Sequence, residues 1–120
     1  MEFKETQAIY LQISDYICEN ILIGKWEAQA RIPSVRELGV NLEVNPNTVM
    51  RSYDFLQNQG IIYNKRGIGY YVSEDAPAKV KMYLKSQFLE HELPQFLKNL
   101  LLLGMEIEEI KPYFQRLRGE

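Results

Sequence analysis

Two strong helix starts lie eleven residues apart in this chain, at Ser34 and Asn45, and that spacing leaves room only for a short helix and a tight turn. Ser34-Val35-Arg36-Glu37 places a hydroxyl acceptor at the N-cap and a carboxylate three residues on, the capping-box pattern, with Pro33 in front of it. Asn45-Pro46 is a second start, an amide N-cap followed by proline at the first helical position. The first helix is therefore expected to reach about Leu42 and turn through Leu42-Glu43-Val44. The second is expected to run from Pro46 to about Gln59 and stop at Gly60. Gly39, inside the first helix, costs about 1 kcal/mol relative to alanine there. Such a cost is expected where the next helix approaches closely.

The second helix has two unlike sides. At ~100° per residue, Val49, Ser52, Tyr53 and Leu56 cluster inward, while Asn47 and Arg51 fall opposite them. Beyond Gly60, the β-prone triplets Ile61-Ile62-Tyr63 and Tyr70-Tyr71-Val72 flank Asn-Lys-Arg-Gly-Ile-Gly, which reads as a hairpin. Gly67 and Gly69 tolerate positive φ and offer no side chain to block an approaching backbone. Lys65 and Arg66 place two cations at the tip. Two short helices and then a basic hairpin form the order of a winged helix-turn-helix, whose usual task is to read duplex DNA. A nucleotide-phosphate loop is the competing use of such glycines, but the helix that should follow, and its Lys-Ser/Thr, are missing.

Residues 7 to 23 carry Ile9, Ile13, Tyr16, Ile17 and Ile21 at helical spacing, and Gly24 suits the stop. Cys18 is the chain's single cysteine. With no histidine or second thiol close by in sequence, it is expected to pack as a small hydrophobe. Trp26, the one tryptophan, follows the helix end and is expected to plug the core.

After Ser73 the chain changes character. Val80, Tyr83, Leu84 and Phe88 recur at helical spacing, and Leu93-Pro94 is expected to break or restart the helix. A helix from about Pro94 to Leu103, ended by Gly104, precedes a last one from Ile107 to Leu117. We divide the chain into a winged helix over 1–75 and a short helical region over 76–120. The fold class is mainly α with a small β-wing. Helices so short cannot bury this much apolar surface among themselves. Tyr83, Leu84, Phe88, Phe96, Leu97, Leu100, Leu101, Ile110 and Phe114 are thus expected to form a dimerisation surface, packing on the same chain's winged helix being the competing use. His91 has no second histidine or cysteine to build a metal site with, and no cofactor is implied.

The net charge of −2 looks unhelpful for a DNA binder. Screening acts over about 8 Å at physiological salt, so the face that carries the cations matters more than the total. Arg36, Arg51, Lys65 and Arg66 all fall at positions expected to face DNA. The longest apolar run is Leu100 to Leu103, and the N-terminus lacks an apolar secretory segment, so a cytoplasmic protein without membrane contact is expected. No catalytic set of side chains is evident, which argues against an enzyme.

Four motifs in order carry a resemblance. They are Ile-Pro-Ser-Val-Arg-Glu-Leu (32–38), Val-Asn-Pro-Asn-Thr-Val-x-Arg-x-Tyr (44–53), Leu-x-x-x-Gly-Ile-Ile (56–62) and Arg-Gly-x-Gly-x-x-Val (66–72). Together they resemble the GntR family of bacterial transcription regulators, and Val-Asn-Pro-Asn-Thr with a short tail is most similar to its YtrA subfamily. The resemblance covers roughly residues 8 to 73. It implies a homodimer, of the kind that acts as a repressor, whose recognition helices enter major grooves of a palindromic operator while the wings reach the minor groove. Arg36 matches a DNA-contacting arginine, Asn45, Asn47 and Thr48 match recognition-helix contact positions, and Gly67 and Gly69 match the wing tip. Some members carry arginines where Pro46 and Met50 stand here, so those contacts do not transfer, and Arg51 is expected to take over part of their role. A turn glycine frequent in the family is Gln29 here.

Ser34, Arg36, Lys65 and Arg66 are therefore expected to meet phosphates, and Asn45, Asn47, Thr48 and Arg51 base edges. The resemblance names no small-molecule effector. A rival reading keeps the fold and makes it a protein-interaction module without sequence-specific DNA binding.

Overall fold

The computed structural model describes residues 1–3 and 7–120. Its elements, in order, are α1 (Ile9–Leu22), α2 (Val35–Leu42), α3 (Pro46–Asn58), β1 (Ile62–Lys65), β2 (Gly69–Val72), α4 (Ala76–Gln87), α5 (Leu93–Leu103) and α6 (Lys111–Leu117). A π-helical turn, Phe88–Glu92, precedes α5, and a 3-10 turn, Ile107–Glu109, precedes α6. The chain divides into two compact units, Met1–Leu84 and Lys85–Glu120.

The first unit is a winged helix-turn-helix. One core joins Ile13, Ile17, Cys18 and Ile21 of α1 to Ile32, Leu38 of α2, and Val49, Tyr53 and Leu56 of α3. Ile61, Ile62, Val72, Ala76 and Val80 complete it. Removing such side chains from water contributes about 1.5–3 kcal/mol each, which is what holds short helices in place. Trp26 packs edge-on against Tyr16 at 6.3 Å, plugging the core margin as expected.

Local signals set the element ends. Ser34 caps α2 reciprocally: the Glu37 N–H donates to Ser34 Oγ and the Ser34 N–H donates to Glu37 Oε1, both at 3.1 Å. Asn45 Oδ1 accepts the Asn47 N–H at 2.8 Å, and Pro46 opens α3. A Cβ on Gly39 would stand 3.0 Å from the Val44 carbonyl oxygen and 3.6 Å from Pro46, so the glycine makes room for the turn and the start of α3. The turn between α2 and α3 passes through Glu43 in the left-handed region, φ 56°.

β1 and β2 pair antiparallel, with Ile62 opposite Val72 and Lys65 opposite Gly69, so the strands extend further toward the tip than the triplets indicated. The segment before α2 joins them. Gln29 N–H donates to the Val72 carbonyl, Val72 N–H to that of Ala30, and Ile32 N–H to that of Tyr70, at 2.8–3.0 Å.

Three of the residues expected on a dimerisation surface are covered, wholly or in part, within the chain itself. Tyr83 and Leu84 pack against the core of the first unit, where Tyr83 meets Phe55 edge-on at 5.6 Å and its hydroxyl donates to Asp15 Oδ1 at 3.2 Å. Leu100 is already buried in the single chain, at 6% exposure. The helical spacing of Val80, Tyr83 and Leu84 reveals an apolar face but not what covers it. The boundary between the two compact units falls within α4.

In the second unit, Pro94 restarts rather than ends the helical path. The wide turn over Phe88–Glu92 delivers the chain to Pro94 at the first turn of α5, where its missing N–H costs nothing. Gly104 ends α5 in the left-handed region, φ 66°. Phe88, Phe96, Leu97, Leu101 and Phe114 are exposed, as are Leu102 and Leu103, while Ile110 is half-buried.

Candidate nucleic-acid interface

The start of α2 places Ser34 at the cap and Arg36 in the first turn. Ser34 Oγ accepts the Glu37 N–H in the cap. Arg36, the second residue of α2, is exposed. Glu37 sits in the same turn and would repel a phosphate, but its carboxylate is held by Ser34: hydrogen bonds from the Ser34 backbone and hydroxyl lower its pKa, and Arg31 adds a smaller electrostatic pull.

The outer side of α3 carries the residues expected to read bases. Asn45 spends its carbonyl on the cap and keeps its amide donors. Asn47 and Arg51 are exposed and Thr48 is half-buried. These last three form one wall of an open hollow of about 320 Å³, and Ala8, Ile9 and Tyr10 from the start of α1 form the other. Arg51 does not extend freely into solvent. Its guanidinium carbon stands 4.0 Å from the centre of the Tyr10 ring. Met50 is exposed, and the Tyr70 hydroxyl reaches its sulfur at 3.9 Å, tying the wing to α3.

The wing tip is Arg66-Gly67-Ile68, closed by the Ile68 N–H donating to the Lys65 carbonyl at 2.9 Å. Gly67 takes φ 79° and leaves open space where a Cβ would be. The Lys65 ammonium lies 4.4 Å above the Tyr71 ring, which itself stacks on Tyr63 across the hairpin. Arg66 is exposed.

Arg31 is a cation of this region that sequence reasoning missed. It bridges to Tyr71, and its Nε would stand 3.0 Å from a Cβ on Gly69. Gly69 therefore does more than permit φ 146°: it makes room for a third basic side chain at the base of the wing. Only the non-local pairing with β2 brings Arg31 there, so no local pattern announces it.

Ser34, Arg36, Asn45, Asn47, Thr48 and Arg51 thus lie on the two helices of the helix-turn-helix or at their N-caps, while Lys65, Arg66, Gly67 and Gly69 lie on the wing. Among the described residues no cluster of side chains could hold a metal ion, and no helix is long and apolar enough to cross a membrane.

A winged helix-turn-helix with arginines on both helices and a basic, glycine-tipped hairpin defines the class of DNA-binding transcription regulators. Residues 9–72 match the family described as "Bacterial regulatory proteins, gntR family", and the chain belongs to it. It is 33% identical over 109 residues to the uncharacterized regulator YhcF of Bacillus subtilis, covering 91% of this chain and 88% of that protein. It is 31% identical over 117 residues to the HTH-type transcriptional repressor YtrA of the same organism, covering 98% and 89%. A crystal structure of a GntR-family regulator from Bacteroides thetaiotaomicron superposes with a TM-score of 0.77 at 49% identity, over 92% of this chain and 97% of that one. The DNA-binding domain of AraR, crystallised with its operator ORR3, superposes at 0.55 with 26% identity, over 61% and 88%. These relatives are transcription regulators, and the chain is a regulator of the same family.

Proposed function

We propose that this regulator acts as a homodimeric repressor on a palindromic operator, with residues of Met1–Leu84 touching DNA and the second unit holding two copies together. The observation that carries the DNA reading is the wall formed by Asn47, Thr48 and Arg51 at the free end of α3. Amide, hydroxyl and guanidinium groups are the types that recognise base edges in a major groove. Arg36, Lys65 and Arg66, with the helix start at Ser34, would position them through phosphates. The glycines at 67 and 69 would let the wing backbone approach closely.

The dimer reading rests on the second unit. Leu101, Leu102 and Leu103 are 81%, 76% and 71% exposed, and Phe88, Phe96, Leu97 and Phe114 add aromatic and aliphatic area. Apolar exposure of this extent on a small unit marks a surface that another chain covers. Repression is the activity named for the YtrA relative, and a dimer that occupies a promoter represses by exclusion.

Selection of bound sequences from random duplex DNA with the full chain tests both claims. Two inverted half-sites about one helical turn apart are expected. A single half-site would remove the dimer, and no enrichment at all would leave the fold to a protein-interaction role.

A further inference from the structure

Tyr10, the second residue of α1, belongs to none of the motifs that located the DNA-facing side chains, yet Arg51 stacks on it. Tyr10 is half-buried and held from several sides. Its main-chain carbonyl accepts from Ser52 Oγ at 2.7 Å and from Ser14 Oγ at 2.8 Å, and its ring packs edge-on against Phe55 at 6.3 Å and 75°. Ser52 follows Arg51 directly, and Phe55 lies one turn beyond. The helix that carries the arginine therefore also fixes the platform beneath it.

A stacked guanidinium has its face occupied and its edge free. The edge carries the fork of N–H donors that pairs with the two acceptors of guanine. Stacking also removes, before DNA arrives, rotamer freedom that an unstacked arginine would surrender on binding. We propose that Tyr10 is a positioning residue that holds Arg51 for the readout of one base pair in each half-site, a guanine on one strand. This rests on the reading above that Arg51 contacts base edges.

The test compares bound-sequence selections for the full-length wild type and for Arg51→Ala, Tyr10→Leu and Tyr10→Phe. Arg51→Ala is expected to lower the preference at one base pair by about tenfold or more. Tyr10→Leu is expected to lower it at the same base pair by about three- to tenfold, with other positions unchanged. Tyr10→Phe keeps the ring and is expected to stay within about twofold of wild type. A flattened position in Arg51→Ala alone would overturn the positioning role while leaving Arg51 as a reader. Equal losses in Tyr10→Leu and Tyr10→Phe would assign the effect to the hydroxyl and also overturn it. An unchanged profile in Arg51→Ala would overturn both readings. Should Tyr10→Leu fail to fold, Tyr10→Gln carries the same expectation. In the free wild-type protein, an Arg51 Nε–H resonance without a ring-current shift would overturn the stack itself.

Discussion

The Tyr53 hydroxyl donates a 2.6 Å hydrogen bond to the main-chain carbonyl of Pro33, twenty residues earlier and immediately before the cap of α2. The inward tyrosine of the recognition helix thereby fixes where the preceding helix begins. Tyr53→Phe keeps the packing and leaves that carbonyl short of a partner, at a cost of about 1–2 kcal/mol. Urea denaturation should show a lower midpoint at unchanged slope. A midpoint equal to wild type would mean that water replaces the phenol.

Buried acids make the fold sensitive to alkali. Burial, with Asp15 and Glu19 nearby, pushes the Cys18 thiol from 9.0 up to about 12. Burial also raises the Tyr53 phenol above its ordinary 10.0. Between the ordinary and raised values the folded state holds protons that the unfolded chain releases. This contribution is therefore complete below pH 9 and is lost as pH rises, through the thiol first and the phenol later. Denaturation midpoints should fall from pH 9 upward. Cys18 should also resist a thiol reagent at pH 8 until the protein unfolds, and prompt labelling of native protein would contradict its burial.

Among the described residues, two take left-handed backbone without being glycine, Gln29 at φ 66° and Glu43 at φ 56°. Such a conformation costs a side-chain-bearing residue roughly 1 kcal/mol. Gln29→Gly and Glu43→Gly should each stabilise the protein by about 0.5–1 kcal/mol, since relief in the folded state outweighs the added freedom of the unfolded chain. Thermal melts of the single and double variants decide it, with additive increases expected.

Phosphate and base contacts predict different binding signatures. Arg36→Ala, Lys65→Ala, Arg66→Ala and Arg31→Ala should each weaken binding to every duplex and lower the salt slope by about 1. Asn47→Ala should cost about 1–3 kcal/mol on the selected operator and little on unrelated DNA. Fluorescence titrations at several salt concentrations separate the two. A salt slope unchanged in Arg31→Ala would take that residue out of the interface.

The exposed leucines of α5 predict an association defect. Leu97→Glu combined with Leu101→Glu should convert a dimer to a monomer in sedimentation velocity. The melt of the winged helix should persist, because neither residue belongs to its core. Unchanged sedimentation would move the dimer contact away from α5.

Features written in neighbouring residues were legible in the sequence. The Ser34–Glu37 cap, the Asn45-Pro46 start, the close approach at Gly39 and the inward set Val49, Ser52, Tyr53 and Leu56 all follow from spacing along one or two turns. What escaped depends on partners distant in sequence. Arg51 was placed outward correctly, yet a helical wheel contains no α1 and cannot show Tyr10 beneath the guanidinium. Arg31 reaches the wing only through pairing with β2. Tyr83 and Leu84 declared an apolar face whose cover, the core of the first unit, appears only in three dimensions. The wide turn before Pro94 is a backbone accommodation with no side-chain signature.

The wing has a further property. Its inner strand is stitched to residues 29–32 along most of its length, through Gln29, Ala30 and Ile32, and Tyr70 packs edge-on against Tyr53 at 4.9 Å. A hairpin held at its edge and on its face cannot splay or swing to suit a groove. If the wing meets a duplex as proposed, the duplex would do the adjusting. Sequences whose groove width already fits, or deforms easily, would then be bound at lower cost, and base pairs that no side chain touches would acquire a vote in which operator is chosen.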